Sequence, residues 1–295
     1  MKDIKVFVSV FKDSAENYGD SIFPVSAGAA LYERNDKLLP LRDDVGENIS
    51  SRNTQYCELT VQYYAWKNEK FDFGGLMHQR RYFDLTRIYP IKRGKKPCRD
   101  RPYRIFDTPD EKTLKLIGAD RDSVSCISDK FRIIAPLREN IYQSIESYYN
   151  KYDRREFDDI GLLKRIISEK YPSYSESAEE YFSQKYSYFC NMFLSDREMF
   201  DKYSEWLFGI LSGYEVIKPK ELFYPREQGK LAERLFGVYM TYIINNTDIP
   251  CAEAPRAHFA CVNGATAKNF SFNRKMYLLF PPGSIRRGII RKIKL

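Results

Sequence analysis

Short apolar runs, rich in β-branched and aromatic residues and set apart by longer stretches of mixed polarity, constrain this chain more than any other feature. Segments 4–10, 71–77, 133–136 and 189–194 read as buried strands. The stretches 56–68, 111–118, 139–151, 155–170, 175–186, 197–217 and 231–245 read as helices. Strands that alternate with helices predict an α/β fold: one central mixed sheet flanked by helices, with a largely helical C-terminal half. The small-residue segment 24–30 reads as a second short strand or a turn against a ligand. Residues 43–50 form a polar loop, from which Ser50 or Ser51 is expected to cap the next helix. Residues 86–110, rich in Pro, Arg and Lys, read as a mobile loop, and the chain after Ala265 is loop-like as far as 285. No internal repeat is visible.

Composition narrows the function. With 43% hydrophobic and 30% charged residues, a chain of 295 residues has ample material for a core and is neither disordered nor collagen-like. No run approaches the roughly 20 apolar residues of a membrane-spanning helix. The start passes directly into Val6-Phe7-Val8, too short an apolar stretch for a secretion signal, so a cytoplasmic location is expected.

The net charge of +8 is concentrated in two patches. One, at 91–104, sets Lys92, Arg93, Lys95, Lys96, Arg99, Arg101 and Arg104 against Asp100 alone. The other, at 284–295, holds Arg286, Arg287, Arg291, Lys292 and Lys294 with no acid. The remainder is close to neutral. Such patches suit an anionic membrane surface or a phosphate-bearing ligand at least as well as a duplex, and no nucleic-acid motif accompanies them. No nucleic-acid partner is expected. The cysteines at 57, 98, 126, 190, 251 and 261 show no C-x-x-C spacing, and only His78 and His258 stand by to help hold a metal. Reduced thiols are expected rather than a zinc site.

The strongest local signal is the run from Gly74 to Phe83, where a strand arrives and His78, Arg80 and Arg81 leave it together. Ligands of open α/β sheets bind beyond the carboxyl ends of strands. Adjacent guanidinium groups there suit a diphosphate, because each offers a fork of donors. The bland alternative is a pair of solvated arginines beside a buried histidine.

The second signal is the polar loop from Asp43 to Asn53, then Tyr56-Cys57-Glu58-Leu59-Thr60, whose polar residues suit a sugar or nucleobase, or an ordinary turn and helix cap. The third is Arg226-Glu227-Gln228-Gly229 followed by Leu231-Ala232-Glu233-Arg234-Leu235, where the Glu233 carboxylate near a helix start is a partner for the helix dipole or a general base facing a cleft. A literal Asp-x-Asp triplet, of the kind that holds a divalent metal on a diphosphate, occurs at Asp120-Arg121-Asp122, but it follows no long hydrophobic strand. Arg80, Arg81 and His78 are the alternative means of neutralising a leaving diphosphate. The sequence contains no P-loop, no Gly-x-Gly-x-x-Gly after the first strand and no Gly-x-Ser-x-Gly elbow.

These signals, in this order, resemble a bacterial capsular and exopolysaccharide-synthesis glycosyltransferase family long described as a domain of unknown function. The resemblance rests on Asp44-Val45-Gly46-Glu47-Asn48-Ile49-Ser50, Tyr56-Cys57-Glu58-Leu59-Thr60 and Tyr64-Ala65-Trp66-Lys67-Asn68. It continues through Gly75-Leu76-Met77-His78-Gln79-Arg80-Arg81-Tyr82-Phe83, Asn191-Met192-Phe193, Tyr203, Trp206-Leu207-Phe208 and Ala232-Glu233-Arg234-Leu235. It spans residues 5–242. Two positions depart from the family pattern: Phe11-Lys12 replaces the usual His-Lys, and Gln79 replaces a Tyr.

The resemblance implies a GT-A-like single domain over 1–265, followed by a basic tail at 266–295. It implies transfer of a hexose, galactose in pyranose or furanose form, from a UDP-sugar to a lipid-linked glycan. On that reading Glu233 and His78 are catalytic, Glu233 as the base. Arg80, Arg81, Asp44, Asn48, Asn53 and Arg234 bind the donor, and a divalent metal (Mn or Mg) is open because no site is convincing. A non-catalytic glycan- or nucleotide-binding subunit of a polysaccharide assembly is the alternative. The tail, alternating basic and apolar residues, is expected to dock on the anionic inner-membrane surface, and the 91–104 patch to act as a lid over phosphate.

Overall fold

Val6, Phe7, Val8 and Val10 bury both faces of β1 (Ile4–Val10), as a strand between two covering layers requires. The computed structural model describes residues 2–11, 20–32, 41–153, 157–262, 265–266 and 279. In it, β2 (Ile22–Ser26) runs parallel to β1 and β3 (Leu41–Arg42) runs parallel to β2. After α1 (Asn53–Tyr56) and α2 (Leu59–Asn68), β4 (Phe73–His78) returns parallel to β1 on its other side, with Ser9 opposite His78. Four parallel strands therefore end at one edge of the sheet.

Gln79 and Arg80 make a tight turn into β5 (Arg81–Phe83). The expected loop at 86–110 carries β6 (Tyr89–Pro90) and β7 (Tyr103–Phe106). The order then runs α3 (Glu111–Leu116), α4 (Arg121–Ser128), β8 (Ile133–Pro136), β9 (Glu139–Asn140), α5 (Ile145–Asp153), α6 (Asp159–Lys170), α7 (Ser175–Ser183) and β10 (Tyr186–Ser187). It continues with β11 (Phe193–Asp196), α8 (Arg197–Ile217), α9 (Glu227–Asn246), β12 (Cys251–Ala254), β13 (Arg256–Phe259), β14 (Cys261–Val262) and β15 (Ala265–Thr266). The main sheet has the order β3-β2-β1-β4-β11-β8-β12-β6, with β11 antiparallel to both neighbours. A side branch of β5, β13 and β7 leaves it through β4. The fold is thus mixed α/β, and the helix-rich C-terminal half also supplies strands to the same sheet.

Alternation along the strands divides the core. Phe7, Leu76 and Phe193 face α2, α6, α7, α8 and α9, whereas Val6, Val8, Met77 and Leu194 face the side covered by α3 and α4. The Gly74-Gly75 pair lies in the crowded middle. A Cβ on Gly74 would stand 2.0 Å from the Lys5 carbonyl oxygen, and one on Gly75 would stand 1.9 Å from that of Phe193. Close approach of three backbones accounts for this pair, with no ligand needed.

Several boundaries differ from the sequence reading. Residues 139–140 are strand, the strand expected at 189 begins at Phe193, and α9 starts at Glu227. Ser50 does not cap a helix. Its hydroxyl donates to Asp43 and accepts from the Ala30 N–H, because the loop closes on the β2 turn instead. Apart from Thr266 and Leu279, the basic tail of 266–295 lies outside the described residues, as does Lys12. Among the described residues, no helix is long and apolar enough to cross a membrane.

Candidate active site

The ends of β1, β2 and β4 open onto a cavity of about 720 Å³. Its floor depends on the turn after β2. Gly28 adopts φ 69°, a left-handed conformation that favours glycine, and a Cβ there would lie 2.6 Å from the Cβ of Asn53. Buried Asp43 holds this turn: its carboxylate accepts the N–H groups of Gly28 and Ala29 at 2.8 and 2.9 Å. Asp44 forks onto Arg42, which also donates to the Ala29 carbonyl at 2.8 Å. Asn48 donates to Gly46 and accepts from the Ser50 N–H. Asp44 and Asn48 therefore shape the loop and do not line the cavity. Asn53 does line it, with its amide donors engaged by the Cys57 carbonyl and Thr60.

The opposite wall carries the charge. His78, Gln79, Arg80 and Arg81 come from the β4–β5 turn, Cys57 and Glu58 from the break between α1 and α2, and Arg226 from the start of α9. Cys57 and Arg226 both have positive φ, at 52° and 65°, a sparsely populated state for side-chain-bearing residues that marks functional sites. Arg80 donates to the Ala260 carbonyl at 2.9 Å. The Arg81 side chain is exposed and makes no hydrogen bond or ion pair among the described residues.

Glu58 accepts from the Asn191 amide at 2.7 Å and lies 3.9 Å from Nε2 of His78. Burial pushes the Glu58 carboxyl above its usual range, against the pull of the Asn191 hydrogen bond and of Arg226 and Arg81. Burial, reinforced by Arg81, lowers His78 to about 3. Its Nε2 is buried without a hydrogen bond among the described residues.

Glu233 and Arg234 stand outside the cavity lining. Because α9 begins at Glu227, they fall in its second turn rather than at its start. Glu233 accepts the Cys190 N–H at 2.9 Å and pairs with Arg234 at 2.9 Å. Arg234 is buried, donates to Ser187 and lies over the ring of Phe189. Even so, the Glu233 charge is felt at His78, Cys57 and Arg226. The sequence reading placed Glu58, Asn191 and Arg226 within its motifs but assigned none of them as a catalytic or donor-binding residue.

The chain holds two histidines, so their titration is simple to follow. His258 faces Arg81 across the β5–β13 ladder and stacks on Tyr103 at 4.3 Å. Burial, Arg256 and Arg81 hold it well below its usual value. Neither imidazole is expected to titrate between pH 5 and about pH 8 by NMR. In the unfolded chain both take up protons near 6.5. Their contribution to stability therefore falls as pH drops from about 6.5 toward 3. An inflection from either ring near 6.5 in the folded protein would refute the buried, neutral assignment.

The Asp-x-Asp triplet does not fit a diphosphate-bound metal. Asp120 is the N-cap of α4, its carboxylate accepting from the N–H and hydroxyl of Ser123 at 3.1 and 2.7 Å. No three His, Cys, Asp or Glu residues converge as a metal site among the described residues. The 91–104 patch contributes nothing to the lining of this cavity.

Residues 5–246 match a family model described as a domain of unknown function, DUF4422. The structure is similar to the apo structure of WbbM, a bifunctional glycosyltransferase, with a TM-score of 0.78 and 27% identity. The match covers 91% of this chain and 48% of that one, so the chain spans about half of its length. No curated protein matches the chain.

Proposed function

The chain belongs to the DUF4422 family, and on that footing we propose that it is a glycosyltransferase with a GT-A-like fold. It moves a hexose, galactose in pyranose or furanose form, from a UDP-sugar to a lipid-linked glycan in capsule, exopolysaccharide or O-antigen synthesis. The likeness to WbbM supports the class of reaction. The observation that carries the reading is the gathering of Arg80, Arg81 and Arg226 around one cavity at the strand ends, beside Glu58 and an uncharged His78.

In this reading the acceptor hydroxyl oxygen bonds to the anomeric carbon, the bond from that carbon to the diphosphate breaks, and UDP leaves with the electron pair. The arginines neutralise the developing charge. The hydroxyl proton passes to a carboxylate. Glu58 lines the cavity, and its raised proton affinity makes it the stronger base once ionised. Glu233, held by Cys190 and Arg234, partly offsets the effect of burial and Arg81 on His78. Neutral His78 offers a hydrogen bond to the donor. Asn53 borders the donor, while Asp44 and Asn48 act through the Gly28 turn. The basic segment 284–295 brings the enzyme to an anionic bilayer from the cytoplasmic side.

A donor screen read by UDP or GDP release, with extracted lipid-linked acceptor, tests this. UDP-galactose turnover is expected, unchanged by EDTA because arginines meet the diphosphate. Glu58→Gln is expected to lower it by about 10²–10⁴-fold, and Glu233→Gln by much less. The reverse order would return the base role to Glu233. Binding of UDP with no turnover of any donor would leave a non-catalytic subunit.

A further inference from the structure

A second cleft, of about 880 Å³, shares no lining residue with the first. One wall is the basic segment 91–97, a turn closed by the Lys95 N–H donating to the Lys92 carbonyl at 3.1 Å. Lys92, Arg93, Lys95 and Lys96 are exposed and make no ion pair among the described residues. Lys185 adds to them, while the charge of Arg138 is met by Glu253.

The facing wall is of another character. Gln143, Ser144, Thr241 and Asn245 bring amides and hydroxyls, and Glu176 and Glu180 bring two carboxylates. Glu180 is engaged by the Asn245 amide at 2.6 Å.

Uncommitted cations concentrated on one wall attract an anion. Amides, hydroxyls and carboxylates on the other match sugar hydroxyls, which both donate and accept. The two glutamates oppose a dense row of phosphates, and a concave cleft does not suit a flat bilayer. We propose that this cleft binds an acidic oligosaccharide, its carboxylates on the 91–97 wall and its hydroxyls on α7 and α9. The inference rests on the reading that the chain works on glycans, and makes the cleft a subsite for acceptor sugars remote from the reaction. Arg138 borders the cleft, and Glu139, next in sequence, pairs with Arg256, whose charge reaches His78.

Calorimetric titration with tetragalacturonate, in the absence of any donor, tests the proposal. The wild type is expected to bind it saturably, and a neutral galactose tetramer at least tenfold more weakly. Lys92→Gln/Lys95→Gln/Lys96→Gln is expected to lose at least tenfold in affinity. Lys112→Gln/Lys115→Gln, on exposed α3 positions, is expected to match the wild type. Absence of saturable binding, or equal binding by the triple variant, overturns the proposal. So does tighter binding of phosphatidylglycerol vesicles or duplex DNA that the triple variant loses, which would give the cleft to a membrane or a nucleic acid. Because no donor is present, failure of UDP release leaves this result readable, and the converse also holds.

Discussion

Arg81→Ala is expected to lower kcat/KM for UDP-sugar turnover by about 10²–10³-fold, the cost of removing one preorganised group that meets charge developing in the transition state. The side chain is exposed at the first residue of β5 and has no ion-pair partner among the described residues, so its charge is available to a ligand. Arg80 already donates to the Ala260 carbonyl, so Arg80→Ala is expected to cost less. Arg81→Lys is expected to recover only part of the activity, because an ammonium lacks the planar fork that meets two phosphate oxygens. Arg81 is also the leading charge that holds His78 down. Its loss should therefore move the His78 titration upward by NMR, a readout independent of turnover. Initial rates of UDP release, with melting curves to confirm folding, check the prediction. Unchanged rates would remove Arg81 from the diphosphate site.

Lys218→Met is expected to destabilise the protein by about 3–5 kcal/mol, the cost of breaking a buried ion pair from one side. Lys218 has no exposed side-chain surface. Its ammonium lies 2.7 Å from both Asp159 and Glu227 and 2.9 Å from the Tyr214 hydroxyl, among the rings of Phe157 and Phe223. Met fills a similar volume but takes the Lys218 ammonium away from two buried carboxylates. Three elements meet there: the first turn of α6, the end of α8 and the first turn of α9. The last of these also presents Arg226 to the cavity. A fall in melting temperature on the order of 10 °C is expected. Adding Asp159→Asn and Glu227→Gln should recover part of it, because the buried charges that Lys218 met are then gone. A single variant that melts with the wild type would show that the pin is dispensable.

Much of the fold was legible because it is written locally. Buried strands at 4–10, 71–77 and 133–136 announce themselves by continuous β-branched and aromatic residues. The long helix α8 was read at its observed limits, since its apolar period runs unbroken from Arg197 to Ile217. The family resemblance read over 5–242 agrees with the span of the family match, 5–246. Errors fell where local pattern is weak. The strands β6 and β7 sit in a Pro- and Arg-rich stretch whose pairing partners, β12 and β13, lie more than a hundred residues away. The start of α9 was missed because Glu227, Gln228 and Gly229 are polar or small, yet buried by tertiary packing.

The site divides along the same line. The run His78-Gln79-Arg80-Arg81 follows a buried strand, and strand-end position alone placed it beside a cavity. Whether a polar side chain faces that cavity or serves the scaffold is not a local property. Asp44 and Asn48 turned to their own loop, and Arg234 to Ser187 and Phe189, because satisfying a buried or turn-forming group is a stronger local demand than waiting for a ligand. Glu58 lies more than a hundred residues before both Asn191 and Arg226, yet the three meet around its carboxylate. The strand-end histidine and arginine pair follows from the residues in order. The carboxylate that complements them follows from packing α1, α2 and α9 against the sheet edge, because burial and charge proximity exist only once distant segments share a core.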